Sequence, residues 1–363
     1  MKYIFLLFSI MISQSVFAQL EKRLDSLIRA SVGVNEPGIA LSVESAGKVI
    51  YAKGFGMADK QTNTKIKTNT NFRLASVSKQ FTAMGLALLE HENKISFNDP
   101  VGCYLPELPS DIGNKVQIRH LITHSSGITD YEEIMDHSVN TQLLDIDVLN
   151  LLKKDDKTYF TPGSSFRYSN SAYALMALII ERISGQSFPQ FIHERIFKPL
   201  KMNHSMVYEK DTYIPNRAMG FARDKNKSLY ANDQSSTSAV KGDGGVYTSL
   251  KDYKKWTHAL WNNTLIDLPQ VLSKLNFSIK EVTQSYYGPG WFYFTKGKPA
   301  LFHSGSTCGF STFSVNIPGQ KTSIVYLSNI ADNAEPFRKI LSLLSEEGIN
   351  NPSEIFELHQ LTR

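Results

Sequence analysis

The sequence has little cysteine. Two thiols in 363 residues, Cys103 and Cys308, cannot build a disulfide scaffold, so the chain must rely on an apolar core, which its length and 42% hydrophobic content allow. The two are far apart in sequence and are read as buried free thiols rather than as a pair. Long apolar runs are also scarce. The N-terminal run from Tyr3 to Ile12 is about half of the roughly 20 residues that span a bilayer. Neither sign of charge dominates: 39 Lys and Arg against 34 Asp and Glu give a formal +5. No basic block alternates with aromatics, which argues against a nucleic-acid partner. No internal repeat or low-complexity segment appears, so repeat arrays drop out. Metal-ligand patterns are missing too. His120 and His124 stand four apart, but the residues between them, Ile122 and Thr123 included, supply no glutamate, and His91-Glu92-Asn93 lacks a second histidine. No metal or other cofactor is expected.

What the sequence does have begins with "MKYIFLLFSIMISQSVFAQ". One basic residue, a short apolar run and then Ser-Val-Phe-Ala have the form of a secretory signal cut after Ala18. Its removal takes away Lys2 alone among the charges and leaves a formal +4. Export to the periplasm or the medium is expected, with no integral membrane segment left and no cysteine placed to carry a lipid.

Leu20, Leu24, Leu27 and Ile28 recur at helical spacing. "GIALSVE" and "KVIYAKGFG", joined by "SAGK", predict a β-hairpin. In the C-terminal third, "GWFYFT", "ALFHSG", "FSTFSVNI" and "TSIVYLSN" read as successive strands, with a turn at Pro318-Gly319. A last amphipathic helix presents Phe337, Ile340, Leu341 and Leu344. Strands at both ends with helix-rich sequence between them predict an α/β (α+β) fold. Its antiparallel sheet is built from the two chain ends and flanked by N- and C-terminal helices. The α/β lobe is assigned to residues 19–94 and 281–363, and an inserted all-helical lobe to 95–280.

The chemistry turns on Ser-x-x-Lys, which occurs three times, at Ser45, Ser76 and Ser238. Ser45 and Lys48 fall in the hairpin turn. Lys241 is followed by Gly242, Gly244 and Gly245, which disfavour a helix that could align it with Ser238. Ser76 differs, because Val77, Phe81, Met84 and Leu88 mark an apolar helical stripe running to about Glu92. A serine at a helix N-terminus faces free backbone N–H groups, and a lysine three residues on lies on the same face one turn later. Two further groups join it. Tyr168-Ser169-Asn170 precede a helix whose apolar positions run from Ala172 to Ile183, and His303-Ser304-Gly305 close a strand. Tyr286, Tyr287 and Trp291 are read as core packing, and Cys308 as packing rather than a second nucleophile.

Ser-x-x-Lys, Tyr-Ser-Asn and His-Ser-Gly in this order resemble the penicillin-recognising serine hydrolases. These are class C β-lactamases, D-alanyl-D-alanine carboxypeptidases, D-aminopeptidases and related esterases. The resemblance covers nearly the whole chain after the signal, since "YLPELP", "IRHLITHSSGI", "GDGGVYTSLKDYKKW" and "GPGW" also look like family segments in family order. It implies a β-lactamase/transpeptidase-like fold with Ser76 as nucleophile and Lys79 and Tyr168 as the base system, their order of action left open. Asn170 would hold the substrate carbonyl and orient Lys79. The N–H groups of Ser76 and Ser306 would form the oxyanion hole, and His303, Ser304 and Gly305 would line the substrate site. His303 stands where class C and class A enzymes carry a lysine, and a histidine with a reference pKa of about 6.5 is mostly neutral at slightly alkaline pH. The class A glutamate motif has only "IDVLN" as a counterpart, with Ile146 in place of the acid. The resemblance therefore implies an exported hydrolase of D-amino-acid peptides, amides or esters that binds penicillins incidentally. The rival readings are a true class C-like β-lactamase and a non-catalytic binder of penicillins or cell-wall fragments. The expected partner is a small-molecule or peptide substrate, cell-wall fragments included; oligomeric state is left open.

Overall fold

The structure is a computed structural model in which residues 18–138, 140–294, 300–349 and 355–362 are described. Of the expected signal segment, residues 1–17 lie outside the described residues.

An eight-stranded antiparallel sheet forms the frame, its strands numbered β1 to β8 in chain order. The hairpin β1 (Ile39–Ser45) and β2 (Lys48–Phe55) closes through Ala46 and Gly47, both at positive φ (50° and 77°). That backbone matches the twist of the flanking strands and keeps Ser45 and Lys48 on a tight turn. From the other chain end come β3 (Phe277–Ile279), β4 (Ser285–Gly288), β5 (Trp291–Phe294), β6 (Ala300–Thr307), β7 (Phe310–Ile317) and β8 (Thr322–Ser328). The spatial order is β3-β4-β5-β6-β7-β8-β1-β2. The junction of the two ends is the β1–β8 ladder, from Ile39 opposite Ser328 to Glu44 opposite Ser323. Asn329 clasps it: Oδ1 accepts from the Gly38 N–H at 2.7 Å, and Nδ2 donates to the Met57 and Met219 carbonyls at 3.1 and 2.8 Å.

Helices cover the sheet as the apolar spacing predicts. Helix α1 (residues 18–31) buries Leu20, Leu24 and Ile28. Helix α2 (Lys79–His91) carries the candidate lysine at its first turn, and α3 (Asn170–Ser184) is capped by Ser169 and closed by Gly185 at φ 69°. Helix α4 (Leu250–Trp261) crosses the sheet, with the Tyr253 hydroxyl reaching Gln80 of α2 (2.9 Å) and Ser314 of β7 (2.8 Å). Helix α5 (Glu335–Glu346) buries Phe337, Ile340, Leu341 and Leu344, and Arg23 of α1 pairs with its Glu346 at 2.7 Å. A last short helix, α6 (Ile355–Gln360), lies against β6.

Several expectations need correction. The segment 95–280 is not all helical. Met206–Val207 and Val246–Thr248 join Phe72–Arg73 in a three-stranded sheet, Phe221–Arg223 pairs with Leu229–Ala231, and β3 starts before residue 281. Chain that packs against the Ser76 segment must satisfy its own backbone polar groups, and edge pairing does so. Ser76 lies in a 3-10 turn (Ala75–Ser78) that precedes α2. Lys241–Gly244 is helical despite its glycines, because the Asp145 carboxylate accepts from the Lys241 and Gly242 N–H groups at 3.1 and 3.0 Å. A side chain at Gly242 would stand 2.2 Å from the Tyr173 carbonyl oxygen, so glycine permits that contact. Both thiols are free, but Cys103 is exposed and Cys308 half-buried, not buried as expected. Among the described residues, no helix is long and apolar enough to cross a membrane and no group of residues could hold a metal.

Candidate active site

Every residue from 70 to 89 is buried except Ser76, which is half-exposed. Its turn is pinned from outside: the Leu74 N–H donates to the Val246 carbonyl at 2.8 Å, and the Val246 N–H donates to Ser78 Oγ at 3.0 Å. Ala75 takes φ 49°, a left-handed conformation that costs a non-glycine residue about 1–2 kcal/mol. Strain of this kind persists only where neighbours impose it, and here it presents the Ser76 side chain to solvent.

Lys79 is fully buried behind Ser76. Its Nζ lies 3.0 Å from Ser76 Oγ, 2.8 Å from Asn170 Oδ1 and 3.0 Å from the Asp243 carbonyl oxygen. The last two groups only accept hydrogen bonds. A neutral amine therefore spends both hydrogens on them and turns its lone pair to the Ser76 hydroxyl. Burial lowers the Lys79 pKa to about 8, against the opposing charges of Asp243, Asp130 and Glu132.

The Asn170 orientation is fixed from its other side. Its backbone N–H donates to Asp130 Oδ2 at 2.5 Å, and Nδ2 faces Glu132 Oε1 at 3.4 Å, so Oδ1 is the atom left for Lys79. The Tyr168 ring lies under the amine, 4.8 Å from Nζ to its centroid. Its hydroxyl is buried beside the Ser76 hydroxyl and has no other hydrogen-bond partner. Burial pushes the phenol well above its ordinary pKa, and the neighbouring Ser76 hydroxyl opposes that rise only in part. A raised phenol suits Tyr168 to hold its proton rather than to act as a ready base, because desolvation of a phenolate outweighs its neighbours.

His303 is fully buried in an aromatic box. Nδ1 donates to the Ser304 carbonyl at 2.6 Å, which leaves Nε2 to accept from the Tyr287 hydroxyl at 3.1 Å. Burial, with Lys79 beside it, lowers its pKa to about 3, far below the value assumed from sequence. Ser304 does not face the site: strand alternation turns its Oγ to α6, 2.8 Å from His359 Nδ1. Gly305 brings β6 onto the Ser76 turn, where a Cβ would stand 2.2 Å from the Leu74 oxygen and 3.0 Å from Ala75 Cβ. Ser306, next along the strand, is exposed.

Sequence reasoning missed the groups that shape this site. His124 accepts the Ser169 N–H on Nδ1 at 3.1 Å and packs 4.3 Å from the Tyr168 ring and 4.4 Å from the Tyr287 ring, centroid to centroid. Burial holds it neutral. Tyr287 is core packing, as read, but its hydroxyl also fixes the His303 tautomer. Asp243 contributes its carbonyl to Lys79, while its carboxylate accepts from Tyr131 at 3.0 Å and burial raises it to about 7. "THSSG" and "KGDGG" flagged these stretches without giving them a role. An apolar cavity of about 690 Å³, lined by Trp261, Leu268, Leu272, Tyr286 and Tyr293 among others, contains none of these groups.

The family model for β-lactamase matches residues 24–346. The chain belongs to the β-lactamase family. It is 30% identical over 340 residues to a penicillin-binding protein of Bacillus subtilis, covering 88% of this chain and 74% of that one. To the protein flp of Staphylococcus aureus it is 26% identical, covering 91% and 67%. Among solved structures, the octameric penicillin-binding protein homologue of Pyrococcus abyssi superposes with a TM-score of 0.76 at 26% identity, covering 94% of this chain and 80% of that one. The D-amino acid amidase of Ochrobactrum anthropi superposes at 0.75 with 20% identity, covering 92% and 99%, and shares the fold. The chain thus has the serine hydrolase fold of the β-lactamase and penicillin-binding-protein family.

Proposed function

We propose that this protein is an exported serine hydrolase that acts through an acyl-enzyme on D-amino-acid-containing peptides, amides or esters. The observation that carries the reading is the placement of Lys79 Nζ 3.0 Å from Ser76 Oγ with two neighbours that only accept, which in the neutral amine leaves the lone pair for the serine hydroxyl. Neutral Lys79 takes the Ser76 proton as Oγ attacks the carbonyl carbon. The oxygen of the tetrahedral intermediate is held by the Ser76 and Ser306 N–H groups, the second brought close by Gly305. Tyr168, protonated and without another partner, donates its proton to the leaving nitrogen or oxygen as the bond breaks. It is reprotonated from the Lys79 ammonium. Water then attacks the acyl carbon, gives a proton to Lys79, and Ser76 recovers its own as the acid leaves.

Neutral His303 supports this reading over a dedicated β-lactamase. A penicillin carboxylate would meet no cation at that position, so penicillins are proposed as slow acylating agents. The test is intact mass against time for the protein with a penicillin and with a D-aminoacyl ester, beside Ser76→Ala. An adduct on both that needs Ser76, released quickly from the ester and slowly from the penicillin, is the expected result. Rapid release of hydrolysed penicillin would move the reading to a β-lactamase, and adducts without turnover to a binding module.

A further inference from the structure

We infer that the apolar cavity at the end of α4 is a second binding site, which takes an uncharged ligand with an apolar body and one carbonyl acceptor, such as a medium-chain acyl amide or ester. It goes beyond the hydrolase reading and needs no part of it. The cavity measures about 690 Å³, inside the range of about 300–1,000 Å³ of small-molecule sites. Its wall includes Trp261 of α4, Leu268 and Leu272 of the short helix Leu268–Lys274, and Tyr286, Tyr293 and Leu301 of the sheet. None of the described residues that line it is charged.

The sheet side of the wall belongs to one cross-strand row. Tyr286 stands opposite Tyr293, Tyr293 opposite Leu301 and Leu301 opposite Asn316, so these four share a face. The row continues through Ser323 to Glu44, and so passes from apolar to charged with Asn316 at the change. The wall is preformed. The Tyr286 and Tyr293 rings stack with centroids 5.6 Å apart, and the Trp261 indole stacks on His258 at 4.7 Å, whose Nε2 meets Glu44 Oε1 at 3.0 Å. Little side-chain freedom is left to lose when a ligand enters.

Asn316 supplies the observation that points to a ligand. An indole N–H only donates, so the bond from Trp261 Nε1 at 2.6 Å must fall on Oδ1, and Nδ2 is the amide atom left over. That Nδ2 is buried with no hydrogen-bond partner among the described residues, an unfavourable state unless a bound acceptor relieves it. Bonded to Trp261 and paired with Leu301, Asn316 lies behind two wall residues at the inner end of the cavity. The exposed polar side chains at the mouth are already engaged. Asn276 Nδ2 donates to the Leu272 carbonyl at 3.1 Å, and Ser273 Oγ donates to the Gln270 carbonyl at 2.7 Å. A ligand carbonyl at Asn316 Nδ2 therefore satisfies the donor left over, while the apolar remainder covers leucine and tyrosine. A carboxylate would be buried there without a cation, and an ammonium would set donor against donor, so both charged analogues are disfavoured.

The experiment titrates octanamide, octanoate, octylamine and ethylbenzene at neutral pH by ligand-observed NMR, with the protein carrying Ser76→Ala so that hydrolysis cannot enter the readout. Octanamide should bind saturably, about tenfold or more tightly than either charged analogue. Adding Ser273→Trp, an exposed change at the mouth, should abolish that binding with the circular dichroism unchanged. Adding Asn316→Ala should weaken octanamide about three- to tenfold and should not weaken ethylbenzene, which has no acceptor. Where Asn316→Ala does not fold, the ranking of the four probes and the S273W result decide. The inference is overturned by absence of saturable octanamide binding, by binding that survives S273W, by octanoate held as tightly as octanamide, or by N316A weakening both neutral probes alike. None of these outcomes touches the hydrolase reading, which fails only on the Ser76 adduct experiment above.

Discussion

Lys79 Nζ stands 3.0 Å from Ser76 Oγ, one turn behind it and sealed from solvent. An ammonium there cannot accept the serine proton, and burial brings the amine down to about 8. Below that pH the protonated form dominates and the rate falls with each added proton; above it the rate levels off. The acid limb of kcat/KM for a D-aminoacyl ester should therefore lie near pH 8. Lys79→Arg should lose about 10²–10⁴ in kcat, because a guanidinium stays protonated. A profile flat down to pH 6 would remove Lys79 as the base.

Tyr168 separates activity from stability. Apart from the Ser76 hydroxyl beside it, its hydroxyl has no hydrogen-bond partner, so Tyr168→Phe removes a buried, poorly satisfied group and leaves the ring packing on His124 intact. Urea unfolding should show stability unchanged or raised by about 1 kcal/mol. The rate should drop about 10²-fold or more if the phenol delivers the leaving-group proton. A variant of full activity would leave Tyr168 a packing residue.

His303 should make no mark on the pH profile between 4 and 8. Its folded pKa, near 3, lies below the ordinary value of about 6.5. Between those two values the unfolded chain binds the extra proton, so stability rises with pH across this window and the contribution is complete above it. His303→Ala should cost about 2–4 kcal/mol, from a cavity among Tyr168, Tyr287 and Phe292 and from the Tyr287 hydroxyl losing its acceptor. An activity inflection near pH 6.5 that vanishes in this variant would contradict the buried, neutral histidine.

Much of this is legible in the sequence. The hairpin at residues 39–55, the strands between 291 and 328 and the helix presenting Phe337 to Leu344 follow from apolar periodicity, and the structure has each. Two short motifs, Ser-x-x-Lys and Tyr-Ser-Asn, name Ser76, Lys79 and Asn170, and the Lys79 amine touches both of the others. What stayed hidden depends on burial and on side-chain direction. Strand alternation turns Ser304 away from the motif that names it, and desolvation sends Tyr168 up and His303 down. The strands inside 95–280 are two or three residues long, too short for a period-2 pattern to register.

Gly305 supplies the sharpest test of how the fold positions the chemistry. An added Cβ would sit 2.2 Å from the Leu74 oxygen and 2.5 Å from Thr312 Oγ1. Neither can step aside freely. The Leu74 oxygen already accepts from Thr312 Oγ1 at 2.7 Å, and the Leu74 N–H is held by Val246. In Gly305→Ala, β6 must therefore retreat from the Ser76 turn, taking the Ser306 N–H with it. With the Ser306 N–H as the proposed second oxyanion donor, its displacement should lower kcat about 10²–10³-fold, and the overpacking should cost about 1–3 kcal/mol. Gly319→Ala is the control, since a Cβ there meets nothing within 4 Å, and it should alter neither quantity beyond a few tenths of a kcal/mol. Full activity in Gly305→Ala would mean that Ser306 is not the second donor.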